Sequence, residues 1–532
     1  MTPAEPTLTV KGGRLRRVAL AVQAVSLSLG ALAYLATLVD RLPAFLVRAV
    51  PSSDTISAPL LAQALGSPGH GTVYLGNHAG YSDLLLSALA LRLPDQALSS
   101  QAVTYAVYAL GLLLLAATVR RLAGWRGACI AGLVSMAATP ALLVTETSPT
   151  GRVTSLANLV LLGWLATALF GRSRWRPAVL GAAALGVGVV TGVDAASDPL
   201  FVVTGILPFL GTGLVLGLRY RDRPSATLAI GTAAVLVAAA ASALLTLAVA
   251  RAVPLQTQPN PVSLASLREV AHTLHILGGD TGVVLGGMFS TLGTGFMTYI
   301  EVGVGLLVCT AVVAALVTAG CSVAGQRPQT TRDRGGLAHL VFWALVALTD
   351  LAAFLATSYA LDLSALRFLT PLVLAFAALL PLLGRRRPLG RVVVAVGVAA
   401  LAGANAWALA TVRLPAPVQE TPLVQTLEAT GISHAYADYW DANVITWATK
   451  GRVDVRSVTE CGDGGTRLCP RLVNAATGWF RPSPGPVAVI VDQRFSVTRP
   501  PSPTYGTPQR VIHVGNITIF VYDHDLRLTP SP

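Results

Sequence analysis

The sequence predicts a mainly α fold: a polytopic bundle of transmembrane helices with a small α/β domain after the last span. Three observations carry that expectation. Of the 532 residues, 53% are hydrophobic and only 12% charged, and the mean hydropathy is +0.64. A water-soluble chain of this length carries far more charge. Apolar runs of about 20 residues, the length that crosses a bilayer, recur with short polar breaks between them. After Val412 the composition changes, with Pro415 and Pro417 marking a linker and Asp, Glu, Trp and Tyr becoming common.

Residues 1–17 read as a cytoplasmic N-terminal tail with the basic residues Lys11, Arg14, Arg16 and Arg17. The apolar run that follows is too long for a signal-peptide core and has no small-x-small cleavage site, so it reads as a retained first span. Spans are expected near 18–38, 102–119, 127–144, 153–170, 178–194, 199–218, 226–250, 299–320, 337–358, 367–384 and 392–412. With about eleven spans and the N-terminus inside, each Arg cluster falls on the cytoplasmic side, including Arg120/Arg121/Arg126, Arg219/Arg221/Arg223 and Arg385/Arg386/Arg387/Arg391. The short acidic loops, with Glu146, Asp194 and Asp198, Asp280 and Asp362, then fall outside. This is the distribution the positive-inside rule requires. It accounts for the net charge of +13 without a nucleic-acid partner. Lys11 and Lys450 are the only lysines in a chain rich in Ala, Leu, Val, Gly and Arg, a bias that suggests a GC-rich bacterial genome. Together these features place the chain in a bacterial cytoplasmic (inner) membrane, with residues 413–532 extracytoplasmic.

Two long loops interrupt the membrane part, which covers 18–412. The first, 39–101, carries Asp40, Asp54, His70, His78, Asp83 and Asp95 and cannot lie in lipid. The second, 251–298, holds a helical-looking stretch from Leu264 to Leu277 and a Gly-rich part that can re-enter the membrane. Residues 413–532 alternate a helix (423–430), strands (434–437, 453–458, 487–491, 510–514, 517–522) and a second helix (439–449), the pattern of a small α/β domain. Cys461 and Cys469, eight residues apart, fit a local disulfide if this domain faces an oxidising exterior. A zinc site would need two further ligands, and no metal site is expected.

The candidate functional residues sit mostly in the outward segments. Asp54 lies just beyond the first span, ahead of an amphipathic stretch from Ile56 to Leu65. It can serve as a general base at the lipid–water boundary, or cap the helix that follows. Asn77, His78 and Tyr81 suit hydrogen bonding to hydroxyl or phosphate groups; a solvated interfacial loop is the other reading. Glu146 and Arg152 form either a phosphate clamp or an ion pair holding a short loop. Asp194 sits where two spans meet, and acids at membrane depth face a cavity or a partner. Arg367, at the outer end of a span, can hold a lipid phosphate or pair with Asp362. Tyr436, Asp438, Tyr439 and Trp440 make a dense polar-aromatic cluster suited to sugar contacts or to the core of a small domain.

On these residues the chain resembles the bacterial multi-span glycosyltransferases of the GT-C fold. The resemblance lies in the acid of a long first outward loop (Asp54), the Asn- and Tyr-bearing loop before the next apolar run, the basic turn Arg120-Arg-Leu-Ala-Gly with Pro140 beyond it, and the Arg367-Phe pair late in the chain. It implies a polyprenyl-phosphate sugar as donor, reached from the membrane, with no certain cofactor and an open question of a divalent metal. It also implies Asp54 as base, hexosyl or pentosyl transfer with inversion, and an acceptor in the cell envelope. The sequence departs from the family in having Thr55 where a second acid is common. Two readings from other classes stand beside it: a transporter or flippase of a lipid-linked substrate, for which Asp350 would suit, and a non-catalytic envelope-binding membrane protein.

Overall fold

A computed structural model of the chain describes residues 8–48, 53–76, 80–136, 152–171, 177–219, 226–257, 263–274, 331–358, 368–383, 388–412, 414, 417–461, 467–495, 497 and 501–528. The expected span at 299–320, the re-entrant part before it, and Asn77, His78, Glu146 and Arg367 lie outside these residues. Among the described residues, eight helices are long and apolar enough to cross a membrane. The chain is a multi-pass membrane protein with a small C-terminal sheet domain.

The first helix, α1 (Leu8–Arg48), runs well past the expected span. The next long helix, α4 (Gln96–Met136), takes in the expected span at 102–119 and the first part of the one expected at 127–144. It is reversed inside by Gly124, whose φ of 79° an L side chain rarely adopts. The two arms lie side by side, so that Tyr108 Oη donates to the Ser135 carbonyl at 3.4 Å. Helices α5 (Val153–Phe170), α6 (Pro177–Ser197), α7 (Pro199–Arg219), α8 (Ala226–Ala252), α9 (Thr331–Ala356), α10 (Thr370–Leu383) and α11 (Pro388–Thr411) complete the bundle. Its core is built from Leu115, Leu159, Leu165, Phe342, Trp343, Ala375 and Ala402. Helices α6 and α8 approach closely at Gly192, where a Cβ would clash with the Ala239 carbonyl. Small residues at helix crossings let backbones approach in lipid, where no hydrophobic force drives association.

Helices α1 and α11 run parallel. Gln23 donates to the Arg391 carbonyl at one end, and Arg41 donates to the Leu409 and Val412 carbonyls at the other. Gly124, Arg126 and Pro381 share a cleft with Gln23 and Arg391. The basic turn of the α4 hairpin therefore lies at the same end as the start of α1. The loop elements and the C-terminal domain gather at the opposite end.

There, α2 (Ser53–Leu65) and α3 (Tyr81–Ala90) flank the short strand β1 (Val73–Leu75). The expectation of an amphipathic Ile56–Leu65 stretch is corrected. Ile56, Ser57, Ala58, Pro59, Leu60, Leu61 and Ala64 are all buried, because α2 packs against α3 and β1 as well as the C-terminal domain. Strand β1 pairs in parallel with β2 (Leu255–Thr257) and antiparallel with β6 (Ala475–Ala476). At two or three residues each, these strands are too short to show a period of two, which is why sequence reading missed them.

The C-terminal domain is a six-stranded sheet in the order β5-β4-β3-β7-β9-β8: β3 (His434–Ala437), β4 (Asp454–Cys461), β5 (Arg467–Pro470), β7 (Val487–Asp492), β8 (Arg510–Val514) and β9 (Ile517–Tyr522). Helices α12 (Pro422–Ala429) and α13 (Tyr439–Ala448) connect to β3 on either side. Strand β7 is buried on both faces, and its alternation sorts it: Ala488 and Ile490 meet Leu427 and Ile445, whereas Val487, Val489 and Val491 meet Tyr436, Val458 and Tyr522. Asp438 caps α13 by accepting from the Trp440 N–H at 3.0 Å. Cys461 and Cys469 are joined in a disulfide at the β4–β5 hairpin.

That disulfide closes a short loop, so Cys461→Ser with Cys469→Ser is expected to destabilise the domain by about 2–3 kcal/mol. Denaturant unfolding followed by tryptophan fluorescence reads this directly, and an unchanged midpoint would refute it.

Candidate functional site

Two polar clusters lie near the loop elements, one reached by Gly76 and the other by Tyr81. The first is centred on Asp54, in the opening turn of α2, only 8% exposed. Its Oδ1 accepts from the Tyr439 hydroxyl at 2.8 Å. That hydroxyl accepts from Asn474 Nδ2 at 2.9 Å, and Asn474 Oδ1 accepts from the Gly76 N–H at 2.6 Å. The Arg471 guanidinium lies over the Tyr439 ring, 4.9 Å from its centre. Ser53 Oγ donates to the carbonyls of Tyr439 and Trp440, fixing the start of α2 against the start of α13. Desolvation first, and the Asp54 charge second, hold the Tyr439 pKa well above its ordinary value, so the phenol stays protonated and keeps donating.

The second cluster lies where α3, α5 and α6 meet. Ser82 Oγ donates to Asp194 Oδ1 and lies 3.0 Å from Thr154 Oγ1. Thr154 donates to Asp83 Oδ1 at 2.7 Å, and Asn158 Nδ2 donates to Asp194 Oδ2 at 2.9 Å. Arg152, at the head of α5, pairs with Asp198 at 3.2 Å and lies 5.2 Å from the centre of the Phe368 ring. Arg152, Asp198, Phe201, Phe368 and Thr370 line a narrow cleft. Asp198 also accepts from the Leu200 N–H at 3.1 Å, which caps the start of α7.

The sequence-derived candidates therefore divide. Asp54 and Tyr439 meet directly, although 385 positions separate them. Trp440 contributes its carbonyl to Ser53 and Asp438 caps α13. Tyr436 turns to the other side of the sheet, where its hydroxyl donates to Asp525 at 3.3 Å. Arg152 and Asp194 belong to the second cluster, and Tyr81 reaches it through its N–H, which donates to Ser197 Oγ at 3.0 Å. Asp350, buried in α9, accepts from the Leu372 N–H at 3.1 Å and so satisfies an early amide of α10. Sequence reading missed Asn474, Arg471 and Asn158. Asn158 was findable, as a lone amide in the apolar run of α5. Asn474 carried no such signal, since its role comes from a φ of 49° in a loop. Among the described residues, no group of three or more His, Cys, Asp or Glu side chains is arranged to hold a metal ion.

Beside Tyr439, Asp441 is half-buried, and its buried Oδ2 has no hydrogen-bond partner among the described residues. Desolvation, helped by the charge of Asp492, pushes its pKa up to about 7. A raised carboxyl pKa favours the protonated folded state, so the stability it allows is complete below about pH 4 and is lost as pH rises towards 7. Asp441→Asn is expected to stabilise the domain by on the order of 2–4 kcal/mol at pH 7 and by little at pH 4. Thermal unfolding at the two pH values measures it; an equal effect at both would contradict the assignment.

No family model and no curated protein matches the sequence. Among solved structures, the chain is similar to ArnT from Cupriavidus metallidurans. For the apo state the identity is 14%, covering 98% of this chain and 99% of that one, with a TM-score of 0.44. For the form bound to undecaprenyl phosphate the identity is also 14%, covering 99% and 100%, with a TM-score of 0.43. It is also similar to the Archaeoglobus fulgidus oligosaccharyltransferase complexed with Zn and sulfate, at 12% identity, 80% coverage and a TM-score of 0.41. The chain spans about 62% of the length of that archaeal protein.

Proposed function

We propose that the protein is a membrane glycosyltransferase that moves a sugar from a polyprenyl-phosphate donor to a cell-envelope acceptor outside the cytoplasmic membrane. The observation that carries this reading is the carboxylate of Asp54, nearly buried at the end of the helix bundle and held by Tyr439 from the domain above it. A carboxylate at that boundary meets a lipid-borne donor from one side and an acceptor from the other. The Cys461–Cys469 disulfide supports an extracytoplasmic location for the domain, since disulfides persist in oxidising compartments.

In the proposed reaction Asp54 takes the proton of an acceptor hydroxyl as that oxygen attacks the anomeric carbon. The new carbon–oxygen bond forms as the bond from the anomeric carbon to the phosphate oxygen breaks, and the configuration inverts. The lipid phosphate leaves as an anion, for which Arg152 and Arg367 are the candidate partners. Tyr439 aims the second oxygen of the base by holding the first. Asn77, His78, Tyr81, Glu146 and Asp194 remain candidates for the donor sugar. The lipid-transport alternative leans on Asp350, and that carboxylate is spent on the start of α10.

Transfer from a panel of polyprenyl-phosphate pentoses and hexoses, in detergent with an envelope glycan as acceptor, tests the reading. Asp54→Asn is expected to slow transfer by about 10²–10⁴-fold while leaving donor binding intact. Tyr439→Phe is expected to lower kcat more than it raises KM, by positioning alone. Full activity in Asp54→Asn would remove Asp54 as the base.

A further inference from the structure

The C-terminal domain carries a second cleft, of about 250 Å³, that the proposed reaction does not use. It opens beside the first half of β3, on the face opposite α12 and α13, at the seam with the first outward loop. Gly478 N–H donates to the His70 carbonyl at 2.8 Å along that seam, and the Arg481 guanidinium lies against Gly69. Two charge groups face each other in the cleft. On one side Asp454 pairs with Arg456 and lies 3.9 Å from His434 Nδ1. On the other, Asp525 accepts from Tyr436 at 3.3 Å and from the Ser483 N–H at 2.8 Å. The Arg456 guanidinium stacks on Trp479, 4.7 Å from the ring centre.

Three polar atoms of these same residues have no hydrogen-bond partner among the described residues: Asp454 Oδ1, Arg456 Nε and Ser483 Oγ. Native proteins seldom leave buried polar atoms unpaired, and each instance calls for an occupant or a role. The three unmet needs are unlike one another, being an acceptor, a donor and a hydroxyl that is both. Two carboxylates would repel an anion, and the two guanidiniums of Arg456 and Arg481 would repel a cation. A neutral polyol answers all of them, since each of its hydroxyls gives one hydrogen bond and takes others.

We propose that this cleft is a saccharide-binding subsite for a neutral glycan, engaged through Asp454, Arg456 and Ser483. Identifying that glycan as the acceptor rests on the transferase reading; the binding itself does not. Tyr436 lines the cleft and Tyr439 holds Asp54, and the three residue steps from one to the other span at most about 10 Å of extended chain. Trp479 touches both regions, because it also packs against the cluster of Ile56, Leu60 and Val444 that supports α2. A glycan held in the cleft thus lies close to the base without occupying its site.

Saturation-transfer NMR on the full chain in detergent, with arabinotetraose, galactotetraose and mannotetraose as probes, tests the subsite. At least one is expected to bind the wild type and Asp54→Asn alike, and Ser483→Ala and Asp454→Asn are each expected to weaken it about 3–10-fold. Ser483→Ala removes a hydroxyl with no hydrogen-bond partner among the described residues, so its thermal stability is expected not to fall. Silence from all three probes, wild-type binding in both variants, or displacement of the oligosaccharide by inorganic phosphate would each overturn the subsite. Intact saccharide binding with no product from any polyprenyl-phosphate sugar would instead reject the transferase reading.

Discussion

The geometry of this protein depends on the docking of its first outward loop against its C-terminal domain. Strand β1 carries β6 on one edge and β2 on the other, so three segments from the two ends and the middle of the chain share one small sheet. The sheet alone is only two or three residues deep, which is marginal for independent stability. It is held by what surrounds it: the apolar cluster of Leu61, Val73, Leu75, Tyr81 and Ala476, and the hydrogen bonds that run from Gly76 through Asn474 and Tyr439 to Asp54. Backbone pairing fixes register, and the side-chain chain fixes the orientation of one carboxylate.

That arrangement has an energetic logic. Burying a carboxylate is costly unless hydrogen bonds compensate, and Asp54 receives one from a phenol held in its protonated form. The position in the first turn of α2 adds the favourable end of a helix dipole. Asp441, a few residues along α13, has no such compensation for one of its oxygens and its pKa is raised as a result. Asp54 is held by a donor from the same helix that carries Asp441, whose Oδ2 has no hydrogen-bond partner among the described residues. Environment alone raises the carboxyl pKa of Asp441.

The membrane part works by a different rule. Its helices meet through small residues and a few buried polar side chains, as at Gly192 and in the Ser82–Thr154–Asp83 and Asn158–Asp194 contacts. In lipid such contacts replace the hydrophobic force that packs the C-terminal sheet. The carboxylates of Asp198 and Asp350 are tied into this framework, accepting from the Leu200 and Leu372 amides. Arg152 stands at its rim, paired with Asp198 and stacked near Phe368.

The sequence by itself determined the class of fold and the position of most elements. Runs of apolar residues have one physical use at that length, and alternation in the last 120 residues has one use at that period, so α5, α6, β3, β7, β8 and β9 were legible from local pattern. It also determined that Asp54 lies in a polar loop beside a span. Only the tertiary structure decided that α2 packs most of its surface into the fold, and that Asp54 meets Tyr439 and, through it, Asn474. Those outcomes depend on pairings between residues hundreds of positions apart and on single backbone conformations. Neither leaves a periodic trace in the sequence, because side-chain period reports which face is buried and not what is buried against it.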